Sequence, residues 1–296
     1  MYELTNLAID TAQKIGVQYA DVRIANYRQQ ILATEDHRVS QISDKDDIGF
    51  GVRVLVNGAW GFASSNDLSA EEIQRVTHLA KSIAQASATT LRQPIELVPE
   101  QSHQDIFTTP YSIDPFDVDI EQKIGLLLEI TNALKRNRQV QKANALMDLR
   151  KTKRFFANTE GTQLESLVVT TSARYQATAV GDGMAKTRSY APPPRSMGYE
   201  NIDTGDLLSN TERVADQAVE HLTAAPCPTG KKDLILDPLN LALTIHESVG
   251  HATELDRVLG YEESLAGRSF AVPELLNNLE YGSPLVNFVA DNTLRH

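Results

Sequence analysis

The chain has 296 residues, 41% apolar and 23% charged, a composition that fits a folded globular protein and excludes a disordered or low-complexity one. Its net charge of −11 disfavours a surface that tracks nucleic-acid phosphates, and the basic run Arg150-Lys151-Thr152-Lys153-Arg154 reads as a solvated strand or loop edge. No basic leader precedes an apolar stretch and no segment approaches the roughly 18 apolar residues of a membrane span, while the single Cys227 excludes an intrachain disulfide, so a cytoplasmic protein is expected.

The length predicts two folding units. Leu4, Leu7, Ala8, Ala12 and Ile15 recur at helical spacing before Gly16, a C-cap residue. Tyr19 to Ala33 then alternates as a strand pair or one long strand. Asn57-Gly58 between the apolar runs Val54-Leu55-Val56 and Ala59-Trp60-Gly61-Phe62 predicts a tight hairpin. Ser69, with Glu72 three residues on, predicts the N-terminus of a helix reaching Ala86.

Residues 87–116 lack periodicity and read as a crossing segment, a point of further division in the first domain. Helical spacing resumes over Asp117 to Arg136. Val140 to Thr178 is strand-like, with a turn at Asn158-Thr159-Glu160-Gly161-Thr162. Gly181 to Gly198 carries Gly and three prolines and reads as an exposed loop, and Leu207 to His221 as a helix. Pro226-Cys227-Pro228-Thr229-Gly230 breaks the chain, which places a boundary between domains 1–228 and 229–296. After it come an apolar-rich helix from Leu239 to Glu254 and a strand-like Val286 to Val289. No closing element follows, so the second domain is expected to be incomplete.

The chemistry concentrates on His246-Glu247-Ser248-Val249-Gly250-His251. A catalytic zinc needs neutral imidazole, thiolate or carboxylate ligands, and a helix bearing two histidines with a glutamate beside the first supplies two ligands and a general base. The usual separation of four residues puts both rings on one face. Here it is five, which in a regular helix turns the rings about 140° apart. Chelation therefore requires a widened turn with i→i+5 bonding, or a break before His251, and Gly250 would ease either. The motif alone leaves open two unrelated histidines at a helix end. Among other residues, Trp60 and Phe62 read as hairpin aromatics packed on a helix in preference to lining a peptide groove, and Arg53 as an outward strand charge.

Four stretches, in order over nearly the whole chain, resemble the TldD branch of the TldD/PmbA family: Gly51 to Ala63, Asn158-Thr159-Glu160-Gly161, His246 to His251, and Tyr281-Gly282-Ser283-Pro284. The resemblance implies an α+β fold, with an N-terminal mixed helix and sheet region followed by the first part of a β-rich catalytic domain. It implies Zn2+ held by His246 and His251, with Glu247 as general base, in a peptidase that trims or degrades small peptides, including leader segments. It further implies a homodimer or a heterodimer with a PmbA-like paralogue. Members continue past the position of His296 and take a third ligand, a cysteine, from there; Glu254, Asp256 and Cys227 are weaker substitutes. The isolated chain is accordingly expected to bind zinc weakly and to show little turnover, and the alternative is a non-catalytic subunit or interaction protein of the same family.

Overall fold

Seven strands form one sheet among the residues that the computed structural model describes, 1–91, 93–203 and 206–291. In chain order the first unit, Met1–Ala224, contains α1 (Tyr2–Lys14), β1 (Tyr19–Glu35), β2 (Arg38–Val56), β3 (Ala59–Ser65), α2 (Ala70–Ala88), β4 (Gln104–Thr108), α3 (Ile120–Leu134), β5 (Val140–Asn158), β6 (Gln163–Gly181), β7 (Met184–Tyr190), α4 (Glu200–Asp203) and α5 (Thr211–Thr223). The sheet runs β3-β2-β1-β5-β6-β4, with β7 on the same side of β6 as β4 but against its far end. Every pairing is antiparallel except β4 with β6. This is the α+β architecture expected.

Side chains alternate between the faces of a strand, and the long strands use one face twice. Near one end Ala20, Val22 and Ile24 of β1, with Phe155 and Ala157 of β5, bury against α1 and α2 through Ala8, Ala12, Ile73, Val76 and Ala80. Near the other end Leu32 of β1 and Ala143, Ala145, Met147 and Leu149 of β5 bury against α3 and α5 through Leu127, Ile130, Leu134, Val214 and Ala218. Between the two cores the same register carries Asn26, Arg28 and Gln30, which bond Asp46 and Asp44 of β2. Lys123 of α3, only 1% exposed, donates to Gln30 Oε1 at 2.7 Å.

The hairpin at Asn57-Gly58 forms with both residues at positive φ, 51° and 73°, the conformation of a two-residue turn that matches strand twist. Ser69 caps α2 by accepting from the Glu72 amide. The turn at Asn158 is held by its own side chain, whose Oδ1 accepts from the amides of Glu160 and Thr162. Three expectations are corrected. The crossing segment contains β4, an exposed edge strand held to β6 by backbone pairing alone, which side-chain periodicity does not register. The stretch after Gly181 contains β7, entered through Asp182-Gly183 at φ 50° and 75°. Trp60 and Phe62 point away from α2, because Ala59, Gly61 and Ala63 are the buried set of β3. Trp60 instead lies under Arg53, 4.4 Å from guanidinium to ring, and Arg53 pairs with the buried Asp21 at 2.6 Å.

The second unit begins at Ala225. Its described elements are helical: α6 (Pro238–Ile245), a π turn (His246–Gly250), a 3-10 turn (His251–Thr253), α7 (Leu255–Val258), α8 (Glu263–Ala266) and a 3-10 turn at Pro273–Leu275. Val286 to Val289 forms no strand, contrary to expectation. Ala252 is the only buried apolar residue of this unit among those described. No described helix is long and apolar enough to cross a membrane.

Two outcomes follow for the first unit. A Cβ on Gly61 would sit 2.0 Å from the Ala80 carbonyl oxygen and 2.4 Å from the Ala84 nitrogen, so Gly61→Ala should lower stability in urea by about 1–3 kcal/mol. Burial pushes the Lys123 ammonium below its ordinary range, outweighing the attraction of Asp44. A folded value below the unfolded one means that the unfolded chain binds more protons between the two. Stability of the wild type relative to Lys123→Met should therefore rise as pH is raised towards the ordinary lysine value, measured by urea midpoints from pH 7 upward.

Candidate metal centre

The helix that carries the motif starts at Asp237, whose Oδ1 accepts from the Leu239 amide at 2.9 Å, with Pro238 in the first turn where no amide donor is needed. Regular α geometry lasts to Ile245. There the helix widens: the His251 amide donates to the His246 carbonyl, five residues back, across His246–Gly250. It then tightens to a 3-10 turn and ends where Glu254 goes extended, at φ −62° and ψ 131°. The single helix expected from Leu239 to Glu254 is thus three segments in succession.

The widened turn cancels the angular mismatch of the five-residue spacing. The rings of His246 and His251 stand 4.4 Å apart between centroids, inclined at 70°. Glu247 reaches both: its carboxylate oxygens lie 3.9 Å from His246 Nε2 and 3.9 Å from His251 Nε2. These separations are too long for hydrogen bonds and leave room for an ion or a water between the groups. One donor atom from each of His246, Glu247 and His251 fits within a mutual distance of 4.8 Å. The side chains keep 59%, 61% and 37% of their surface exposed, so the cluster opens to solvent.

Glu254 lies on the far side of His251, with Oε2 3.6 Å from Nδ1. The gap exceeds a hydrogen bond, and it places the carboxylate on the side of the ring away from the nitrogen that faces the cluster. Glu254 also belongs to a second acidic group with Asp256 and Glu262. Sequence reasoning placed Glu254 near the site but did not identify the nitrogen it addresses, because that depends on the 3-10 turn. Cys227 is exposed, with its thiol 3.9 Å from the Pro228 carbonyl, and belongs to neither ligand group among the described residues. Tyr281, from the last resembling stretch, donates to the Ser248 carbonyl at 3.5 Å and stacks on Phe270 at 4.9 Å. It thereby buttresses the outer side of the π turn.

A family model described as PmbA/TldA metallopeptidase domain 1 matches residues 20–84, and one described as the PmbA/TldA metallopeptidase central domain matches residues 113–225. A metalloprotease of Methanocaldococcus jannaschii is 30% identical over 251 residues, 85% of this chain and 54% of that protein. A protein of Saccharolobus solfataricus named a zinc metalloprotease TldD homolog is 21% identical over 266 residues, again covering 85% and 54%. The chain spans about half the length of the curated relatives it matches. Among solved structures, a Bacteroides thetaiotaomicron protein described as a candidate modulator of DNA gyrase superposes with a TM-score of 0.71 at 14% identity, covering 87% of this chain and 58% of that one. TldE from Thermococcus kodakarensis gives 0.51 at 12%, covering 73% and 46%. At such identities the likeness concerns the fold.

Gly250 does not use the freedom expected of it. Its φ is −54°, and an added Cβ would meet nothing nearer than 3.9 Å. Gly250→Ala should therefore keep the widened turn and favour the helical segment by up to about 1 kcal/mol, seen as unchanged or raised helical signal in circular dichroism.

Proposed function

We propose that this chain, which belongs to the PmbA/TldD family of metallopeptidases, contributes the zinc ligands His246 and His251 and the general base Glu247 to a peptidase acting on small or unfolded peptides, by trimming leader segments or by degradation. The observation that carries this reading is the i→i+5 turn, which sets two imidazoles and a carboxylate around one point despite a spacing that a regular helix would splay. The donor set fits zinc: neutral imidazoles are its commonest nitrogen ligands, and the gap between the groups suits an ion.

A zinc ion held there supplies Lewis acidity towards a peptide carbonyl. Glu247, equidistant from both imidazoles, takes the proton of the water that adds to that carbonyl and passes it to the leaving amine as the C–N bond breaks. Glu254, 3.6 Å from Nδ1 of His251, would orient that ring with Nε2 inward by closing to hydrogen-bond distance when the metal is bound.

At saturating zinc, Glu247→Gln should lower peptide turnover by about 10²–10⁴-fold without loss of bound metal. Full activity in that variant would remove Glu247 from the role of base. His246→Ala should abolish binding. Catalytic zinc sites usually employ three protein ligands, and this cluster offers two imidazoles besides its base. Dialysis of the 296-residue chain should consequently leave well under one zinc per chain by atomic absorption, and near-stoichiometric retention would overturn the weak-binding reading.

The same reading makes a cytoplasmic dimer the working unit, of two copies or with a PmbA-like paralogue. Leu234, Ile235, Leu265 and Leu285 of the second unit are exposed and would be available to a partner. The net charge of −11 supports action without nucleic acid. Light scattering of the purified chain should return the mass of two chains.

A further inference from the structure

The helices cover one face of the sheet, and a trough of about 760 Å³ on the opposite face is walled by Arg23, Ala25, Phe107, Arg154, Phe156 and Leu164, with Asp105, Phe155, Glu165 and Ser166 beside them. Its shape follows from register. Across the strands Gly51 pairs with Arg23, Arg23 with Phe156, and Phe156 with Leu164; in the next row Gly49 pairs with Ala25, Ala25 with Arg154, and Arg154 with Ser166. The small residues Gly49, Ala25 and Ser166 lower the floor in that second row. Phe62, exposed on the same face, lies over Gly51, where a Cβ would come 2.7 Å from its ring.

The positive charges in this trough are unspent. Arg28, Arg53, Arg75 and Arg150 each pair with a carboxylate. Arg23 and Arg154 have no carboxylate within 4.0 Å among the described residues, although Asp105 and Glu165 share the trough, the latter paired with Lys153 at 2.9 Å, and Arg23 rests on the Phe156 ring at 5.5 Å. Two free guanidiniums beside aromatic and leucine walls complement a carboxylate attached to an apolar group. The Asp105 carboxylate repels a second anion and favours a positive or N–H-bearing group near it. A ligand with a carboxylate, an apolar side chain and an amino end, of a size for this volume, is a short peptide.

We propose that the trough binds the free C-terminal end of a peptide of two or three residues, with the carboxylate on Arg23 and Arg154 and an apolar last side chain among Phe107, Phe156 and Leu164. The identification of a peptide rests on the peptidase reading, whereas the anion site stands on its own geometry. The site lies on the first unit and needs neither His246 nor zinc.

Calorimetric titration of the full chain in chelator, with Ala-Ala-Phe as probe, tests it. Saturable one-to-one binding is expected, weakened at least tenfold by amidation of the peptide carboxylate and by Arg154→Gln or Arg23→Gln, and unchanged by Glu247→Gln. Urea midpoints for the arginine variants should match the wild type, since both side chains are exposed. Equal affinity for acid and amide, absence of saturation, or indifference to both arginine variants would overturn the proposal. Free phenylalanine binding as tightly as the tripeptide would overturn its peptide part. Loss of turnover assignments at Glu247 with binding intact would sink the peptidase reading alone.

Discussion

The antiparallel pairing of β1 with β5, from Asp21 opposite Asn158 to Glu35 opposite Asn144, is the constraint on which the first unit depends. Fifteen consecutive residue pairs in unbroken register keep every second side chain of both strands on one face over a length that a single helix layer does not cover. Two helix pairs, α1 with α2 and α3 with α5, therefore share that face end to end, and each builds its own core. A slip of one residue would turn Arg23 and Ala25 towards the helices in place of Val22 and Ile24, which is why the register is fixed so strongly. The polar middle, with Lys123 bonded to Gln30 and Gln30 to Asp44, marks where one helical layer stops and the next begins.

The second unit is built on different terms. Its described residues have no core comparable to those of the first, and its helices present leucines to solvent. What is ordered in detail there is the motif itself: Asp237 and Pro238 start the helix, the His251 amide reaches back to the His246 carbonyl, and Tyr281 meets the Ser248 carbonyl. Local hydrogen bonding shapes the candidate site more than burial does, as the open exposure of Glu247 and His246 also indicates.

Much of this was legible in the sequence where a side chain signals its own backbone. The Asn57-Gly58 hairpin, the Ser69 cap and the Asn158 turn all follow from residues that satisfy or distort nearby backbone groups. The requirement for either an i→i+5 turn or a break before His251 followed from arithmetic on the spacing, and of the two the widened turn is what forms. The illegible parts are those set by distant partners. β4 is a strand because the Gln163–Leu167 edge is free to pair with it, and its own residues are all exposed. β7 had a local signal in Asp182-Gly183, masked by the polar Lys186, Thr187, Arg188 and Ser189 that follow. Which face Trp60 and Phe62 occupy was decided by Gly61 touching α2.

The π turn also fixes a direction. An extra residue taken into one turn sets everything after it about 100° of rotation and 1.5 Å of rise behind where an uninterrupted α-helix of the same sequence would put it. Glu254, Asp256 and the chain beyond leave the helix along a heading that depends on that single insertion. Trimming Ser248 or Val249 while the turn closes to i→i+4 bonding would leave the imidazoles and the following segment near their present places, whereas winding the same residues as an unbroken α-helix would splay the rings and swing that segment around the axis. The motif is in this sense a joint as much as a ligand set: the width of its turn sets the heading of what comes next.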